Sequence, residues 1–367
     1  MRIRDVVLQN RFAVLDAGTW TFNVNLVDPV TEFKIWFYVK NNAVGPNNIN
    51  RPIYLVTEVA VIDGSEVIYS MDGACAIALS AYNQGQMPLY WHSDNPGSSQ
   101  YFCIPIEFGR HLEDQEYIFD PTRFRNPQIR ITWNIARLGA VGANAFATGT
   151  AQISVWAKVM EEGATPRGYL MSKEIKEFAS LAGGDEITYL PTDFPMRKVM
   201  LRAYAHGGMM TTAVTNIKIS QDEDKFIPID IDSADFIFLM HNWFPEFALH
   251  GRGNADDNEF REHFLGEYAH GKVCGGEGDH ILGASGFAND GYTLHCVTNA
   301  GAGQTDCPHF WNAWSRTPLD TWCYPFGDQM DPDDWFQTMR VGNLRLMLTQ
   351  GGLGYTEQVV TQQAHPY

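Results

Sequence analysis

The residues in this sequence best suited to chemistry crowd into one Gly-rich stretch. His263, His270, Cys274 and His280, followed by His295-Cys296 and Cys307-Pro308-His309, are imidazole and thiol side chains of the kind that hold zinc. Their spacing argues otherwise, because no pair of cysteines two apart meets a pair of histidines and no His-Glu-x-x-His is present. Asp256, Asp257, Glu259 and Glu262, and further on Asp331, Asp333 and Asp334, are carboxylates that could serve a glycosidase or a calcium site on a β-sandwich. The first group does not follow the spacing of an EF-hand loop, and runs of charge in loops are usually solvated surface. AVGANAFATGTA (140–151) has the small residues of a phosphate cradle but lacks its Lys and Ser/Thr. Trp36, Phe37, Tyr38, Trp133 and Trp156 could form a sugar-binding platform. In strands, alternate aromatics instead fill a core, and the others suit subunit contacts. No catalytic, cofactor-binding or metal residue is therefore assigned, and no enzymatic activity is expected.

Composition narrows the field further. The net charge of −17 is uneven: residues 1–166 hold 12 basic and 16 acidic groups, and residues 167–367 hold 14 and 27. An acidic chain opposes direct binding to a phosphate backbone, whose affinity comes from Lys and Arg, so nucleic acid is not an expected direct ligand. The six cysteines include no pair two apart, and Cys75, Cys103 and Cys323 lie in or beside apolar runs, where a thiol packs as a small hydrophobe. These features suit a reduced intracellular assembly environment. The start, MRIRDVVLQNRFAV, lacks the apolar run and small-residue cleavage site of a secretory signal.

The elements that must position these residues read as short strands bounded by Gly, Pro, Asn or Asp. In the first half they are 20–26, 33–40, 53–61, 66–71, 101–108, 129–136 and 152–160. In the second half they are 186–190, 197–205, 213–219, 225–231, 343–349 and 357–363. One phrase occurs twice. Cys103-x-Pro105, Phe108-Gly109, an acidic segment with Asp120-Pro121 and the strand Ile129-Arg130-Ile131 return as Cys323-x-Pro325, Phe326-Gly327, Asp331-Pro332 and Leu344-Arg345-Leu346. A second stretch repeats independently: VTEVAVIDGSEVIYSMD lies ungapped on VTNIKISQDEDKFIPID at a constant offset of 158, from Val56 to Val214 and from Asp72 to Asp230. Two matches in the same order imply one domain type used twice.

The expected organisation is a first domain over 1–165, a linker and short helix over 166–184, and a second domain over 185–367. The helix is read from SKEIKEFASLAGG, with Ser172 as N-cap, Ile175, Phe178 and Leu181 on one face, and a double Gly as its stop. About 90 residues separate Asp232 from Cys323, against about 30 between Asp72 and Cys103. The excess, at about 245–315, is expected to be a long loop insertion on the surface. At the N-terminus, Arg2, Arg4 and Arg11 with Ile3, Val6 and Val7 at helical spacing suit a basic amphipathic segment beside an anionic membrane. An ordinary first strand or arm suits the same residues.

Two tandem units of about eight strands, a short helix between them and a long insertion in the second unit resemble the double jelly-roll major capsid proteins of tailless, membrane-containing bacteriophages and the adenovirus-like lineage. The resemblance spans nearly the whole chain and rests on architecture, not on an invariant motif. It implies an all-β fold of two eight-stranded jelly-roll β-sandwiches and a viral structural protein without enzymatic activity or cofactor. It also implies a homotrimeric, pseudo-hexagonal capsomer that builds an icosahedral shell, assembled in the host cytoplasm around an internal membrane. The implied partners are further copies of the chain, penton and minor capsid proteins, and the inner membrane. The competing reading is a secreted carbohydrate-active enzyme or a lectin made of two β-sandwiches.

Overall fold

The computed structural model describes the backbone of residues 2–367 except 45–46, 48–50, 94, 138–144, 206–207 and five short segments between 256 and 306; side chains within 252–311 are outside the described residues. The first half runs β1 (Arg2–Ala13), β2 (Ala17–Asn23), β3 (Val30–Lys40), β4 (Val56–Asp63), β5 (Glu66–Met71), α1 (Gly73–Gln84), β6 (Tyr90–Trp91), β7 (Ser99–Glu107), β8 (Pro127–Asn134) and β9 (Gln152–Glu162). The second half runs β10 (Gly168–Ala179), β11 (Asp185–Tyr189), β12 (Met196–Tyr204), α2 (Met210–Ala213), β13 (Val214–Gln221), β14 (Phe226–Asp232) and α3 (Ser233–Met240). After the insertion come β21 (Thr321–Pro325), β22 (Leu344–Gln350) and β23 (Thr356–Pro366).

Each half is an eight-stranded jelly roll. In the first, the sheet β1-β9-β3-β7 (with β6 at its edge) faces β2-β8-β4-β5; in the second, β10-β23-β12-β21 faces β11-β22-β13-β14. The strands alternate as sandwich strands must: Phe33, Ile35 and Phe37 of β3 are fully buried, while Lys34, Trp36 and Tyr38 between them are only half-buried. The halves are not separate bodies. Strand β5 pairs in parallel with β10, Tyr69 opposite Ser172 and Ser70 opposite Lys173, so β2-β8-β4-β5-β10-β23-β12-β21 is one eight-stranded sheet. Among the described residues, most buried apolar side chains of both halves accordingly form one continuous cluster, and Leu170, Trp335 and Ala364 form a small second one.

Two sequence expectations are corrected, and a choice the sequence left open is decided. The linking helix is instead strand β10, paired with β23 along its whole length, and Ser172 is no N-cap but a buried strand residue whose Oγ accepts from Nε2 of Gln362. The i, i+3 spacing of Ile175 and Phe178 is real, but pairing with β23 along the segment, and with β5 at Ser172 and Lys173, overrides local propensity. The N-terminal segment is likewise a strand, β1, paired antiparallel with β9, which is the alternative its residues allowed. The insertion lies where the repeat placed it, between α3 and β21, but it is not a loop. It holds β15 (Phe247–Ala255), β16 (Phe260–Phe264), β17 (His270–Gly275), β18 (Ile281–Phe287), β19 (Thr293–Thr298) and β20 (Cys307–Ser315), in the sheets β15-β20-β17 and β16-β19-β18.

The 12-residue helix α1 had its own signals. Asp72 caps it by accepting from Ala74 N at 2.7 Å, and Gly85 stops it at φ 70°. Its small residues, GACAIALS, permit close packing from every side, and all positions from Gly73 to Tyr82 are buried. A side chain on Gly73 would sit 3.0 Å from Val56 Cβ.

Candidate functional surfaces

Both halves place the repeated Cys-x-Pro phrase on the corresponding strand, β7 and β21. The register makes the correspondence specific. Lys34, Trp36 and Tyr38 of β3 stand opposite Pro105, Cys103 and Tyr101, just as Lys198, Met200 and Arg202 of β12 stand opposite Pro325, Cys323 and Thr321. These are the outward faces of equivalent sheets. Their fates differ because α1 covers the one throughout but reaches only the Glu32–Glu107 end of the other.

The outward face of the second half lies under α1. Lys198, Met200, Arg202, Cys323 and Thr321 are each 3% exposed or less. Tyr82 of α1 donates its hydroxyl to Thr321 O at 2.6 Å, and the Cys75 thiol reaches Gln358 Oε1 at 3.5 Å. Charges buried here are held by a dense network. Arg202 donates to Leu319 O at 3.2 Å and to Gln358 Oε1 at 2.7 Å, stacks over Tyr204 at 4.7 Å, and lies 3.9 Å from the Asp72 carboxylate, which Arg137 also pairs. Burial works against the Arg202 charge, but Asp72 and its other anionic neighbours outweigh this and keep it firmly protonated. Burial pushes Asp320 up to about 7, with Arg202 opposing it, and pushes Lys198 down to about 7. Asn83 ties this face to the first half: its Oδ1 accepts from Arg197 at 3.0 Å and Lys198 at 2.8 Å, and its Nδ2 donates to Glu107 at 2.9 Å. Sequence reasoning missed this network. Its signal was the alternation of basic residues, Lys198 and Arg202, within an apolar strand.

Beyond the buried Glu32, Cys103, Pro105 and Glu107, the outward face of the first half is aromatic and only half-buried. Trp36 lies 5.8 Å from Trp156, 6.2 Å from Tyr101 and 6.5 Å from Tyr38, and Arg11 sits 4.5 Å above the Tyr38 ring. The indole nitrogens of Trp36 and Trp156 are buried without a hydrogen-bond partner. The other aromatics singled out from the sequence are core residues: Phe37 is fully buried, and Trp133, 4% exposed, donates Nε1 to Leu15 O. Beside the cluster, Glu32 and Glu107 stand directly opposite each other at a cleft of about 360 Å³. Burial raises Glu32 to about 7 and also raises Glu107. Glu107 is committed to Ser80 Oγ at 2.6 Å and to Asn83, and Glu32 pairs with Lys34 at 3.2 Å, so both carboxylates are tied into the fold.

The remaining candidates are turn formers or fall outside the described residues. Asp334 accepts from Asp328 N at 2.6 Å and Asp331 from Asp333 N at 3.0 Å. The matching turn in the first half is closed by Asp114, which accepts from Arg110 N at 3.0 Å. This explains the repeated Phe-Gly: a Cβ on Gly109 would lie 2.6 Å from Tyr117 O, and one on Gly327 2.2 Å from Asp334 O. The side chains of His263, His270, Cys274, His280, His295, Cys296, Cys307 and His309, and of Asp256, Asp257, Glu259 and Glu262, lie outside the described residues. Among the described residues, no group of three or more His, Cys, Asp and Glu could hold a metal ion, and no helix is long and apolar enough to cross a membrane.

No family model and no curated protein matches the sequence. Solved structures do match along its whole length. The crystal structure of the STIV MCP superposes with a TM-score of 0.63 at 10% identity, covering 100% of this chain and 98% of that one. The major capsid protein P2 from Bacteriophage PM2 gives 0.54 at 9% identity, covering 100% and 98%. A chain of the PBCV-1 virus capsid gives 0.56 at 11% identity, covering 99% and 93%. The chain has the fold of double jelly-roll major capsid proteins.

Proposed function

We propose that this chain is a viral major capsid protein whose homotrimer forms a pseudo-hexagonal capsomer of an icosahedral shell. One observation carries the reading: two eight-stranded jelly rolls, fused through a shared sheet, match capsid proteins from end to end without a large unmatched segment on either side. The mechanism is geometric. Two similar domains per chain occupy two of six positions around a ring, three chains complete it, and closed cyclic symmetry is what natural assemblies favour. The virion capsid is then the site of action, with assembly in the host cytoplasm and with penton and minor capsid proteins as further partners.

The finer reading places an internal membrane under the shell, touched by the N-terminal strand. Arg2 and Arg4 are exposed, although both pair with Glu161, which reduces the charge they offer to anionic lipid. Deleting residues 2–11 tests this contact; normal particles from the deleted protein end it. The central reading is tested by size exclusion with light scattering at micromolar concentration, followed by negative-stain imaging. A particle of three times 41.3 kDa with a hexagonal outline is expected. A monodisperse monomer refutes it.

A further inference from the structure

The chain carries one finished junction between jelly rolls and the two unmatched halves of a second. In the finished junction, edge strand β5 of the first half pairs in parallel with β10 of the second, and α1 covers the outward face of β12 and β21. The corresponding donor in the second half is β14 with α3. Among the described residues, strand β14 is the free edge of its sheet, and β1 is the free edge of the sheet that carries the aromatic cluster.

Correspondence can be traced residue by residue. Val61 stands opposite Tyr69, and Ile219 opposite Ile229; Ala60 stands opposite Ser70, and Lys218 opposite Asp230. Strand β14 is therefore displaced by 160 positions from β5, two more than the ungapped alignment gave, because the β13–β14 turn is longer. The same displacement carries Asp72, the N-cap of α1, onto Asp232, the N-cap of α3. On the receiving side, Lys173 stands opposite Thr361, and Thr361 opposite Val199. The equivalent path runs from Gln9 through Val155 to Ile35. Lys173 therefore corresponds to Gln9.

Exposure agrees with an unfinished contact. Ala78 of α1 is fully buried at the finished junction, whereas its counterpart on α3, Phe238, is 63% exposed. Charge agrees as well. Asp72 meets Arg202 in the finished junction; at the corresponding place on the aromatic face stands Tyr38, with the Arg11 guanidinium above it, and Asp232 is exposed.

We propose that a second copy of this chain occupies this face: β14 of one chain extends the sheet of the next by pairing in parallel with its β1, Asp230 opposite Gln9, while α3 lays Phe238 on the Trp36–Tyr38–Tyr101–Trp156 surface. This rests on the self-assembly reading above and deepens it, because it fixes which edges meet and in what register. Repetition of one junction, within and between chains, makes all six contacts of the ring alike. It also removes two open sheet edges that would otherwise invite aggregation.

The test is a cysteine pair. Adjacent strands bring Cα atoms within the range a disulfide spans. Gln9→Cys/Asp230→Cys should yield covalent dimers and trimers on a non-reducing denaturing gel after mild oxidation, while either single variant migrates as a monomer. Phe238→Asp should lower the trimer fraction in light scattering at least tenfold without changing the circular dichroism spectrum. Trimers that neither cross-link through the pair nor respond to Phe238→Asp would overturn this interface and leave the self-assembly reading standing. A wild-type chain that is monomeric in light scattering would overturn both.

Discussion

Arg202 is the residue whose removal tests most sharply how the two halves are joined. Arg202→Met keeps an unbranched apolar stem in a site that is 3% exposed but deletes the hydrogen bonds to Leu319 O and Gln358 Oε1. It also removes the cation that faces Asp320. Asp72 is spared the full loss because Arg137 remains paired with it. Removing one partner of a buried charge cluster costs about 3–5 kcal/mol. With an unfolding entropy of about 2.1 cal/mol/K per residue, a chain of 367 residues converts this to a fall in Tm of about 4–6 °C. The sign of the pH dependence follows from Asp320. Its folded pKa of about 7 lies above its ordinary value of 3.8, so the folded state binds its proton more tightly and this group's contribution weakens as pH rises through that window. Without Arg202 the carboxylate is harder still to ionise, so the variant loses more at pH 8.5 than at pH 5.5. Adding Asp320→Asn should remove that difference. The assay is differential scanning fluorimetry at both pH values with the single and double variants. A fall in Tm that is the same at both pH values, or one that Asp320→Asn leaves unchanged, refutes the assignment of Arg202 as counter-charge to Asp320.

Three further outcomes are expected. Gly109→Ala and Gly327→Ala should each destabilise by about 2–3 kcal/mol, since the new methyl meets backbone at 2.6 and 2.2 Å, whereas Gly64→Ala, which has positive φ but open space, should cost about 1 kcal/mol; chemical denaturation ranks them. Lys198 is held at about 7 by burial, below its ordinary 10.5, so its contribution to stability falls as pH drops through that window. Lys198→Met should therefore raise Tm by a few degrees at pH 7, with the gain shrinking by pH 10; a variant less stable than wild type at pH 7 contradicts this. Limited proteolysis of assembled particles should cut first between Glu246 and Ser315, and mass spectrometry of the fragments would show protection there if the insertion instead lies at an interface.

The strands were legible because burial on one face imposes a period of two. Glu66–Met71 was read to the residue, and β3, β7, β8, β9, β12, β13 and β22 to within a few. The tandem repeat was legible for the same reason, since two similar cores require similar inward residues. Its details were not. The constant offset of 158 slips to 160 across the β13–β14 turn, and Arg345 is not the counterpart of Arg130: Arg130 stands opposite Ala60, but it is Met347 that stands opposite the matching Lys218. Strand period fixes which face a residue takes, and a slip of two preserves that face, so the pattern cannot detect it.

Local sequence determined the strands, their inward faces, the tandem pair of jelly rolls, the place of the insertion and the Phe-Gly turns, because each depends on neighbours a few residues apart or on a period of two. Tertiary structure alone decided that 168–179 is a strand and not a helix, since its partners are 66–71 and 356–366, and that Asp72, Arg202 and Asp320 form one buried cluster. It also decided which outward face α1 covers throughout and which it covers only at one end. Those outcomes depend on pairing between segments more than a hundred residues apart, and no local periodicity encodes which edge a strand will find.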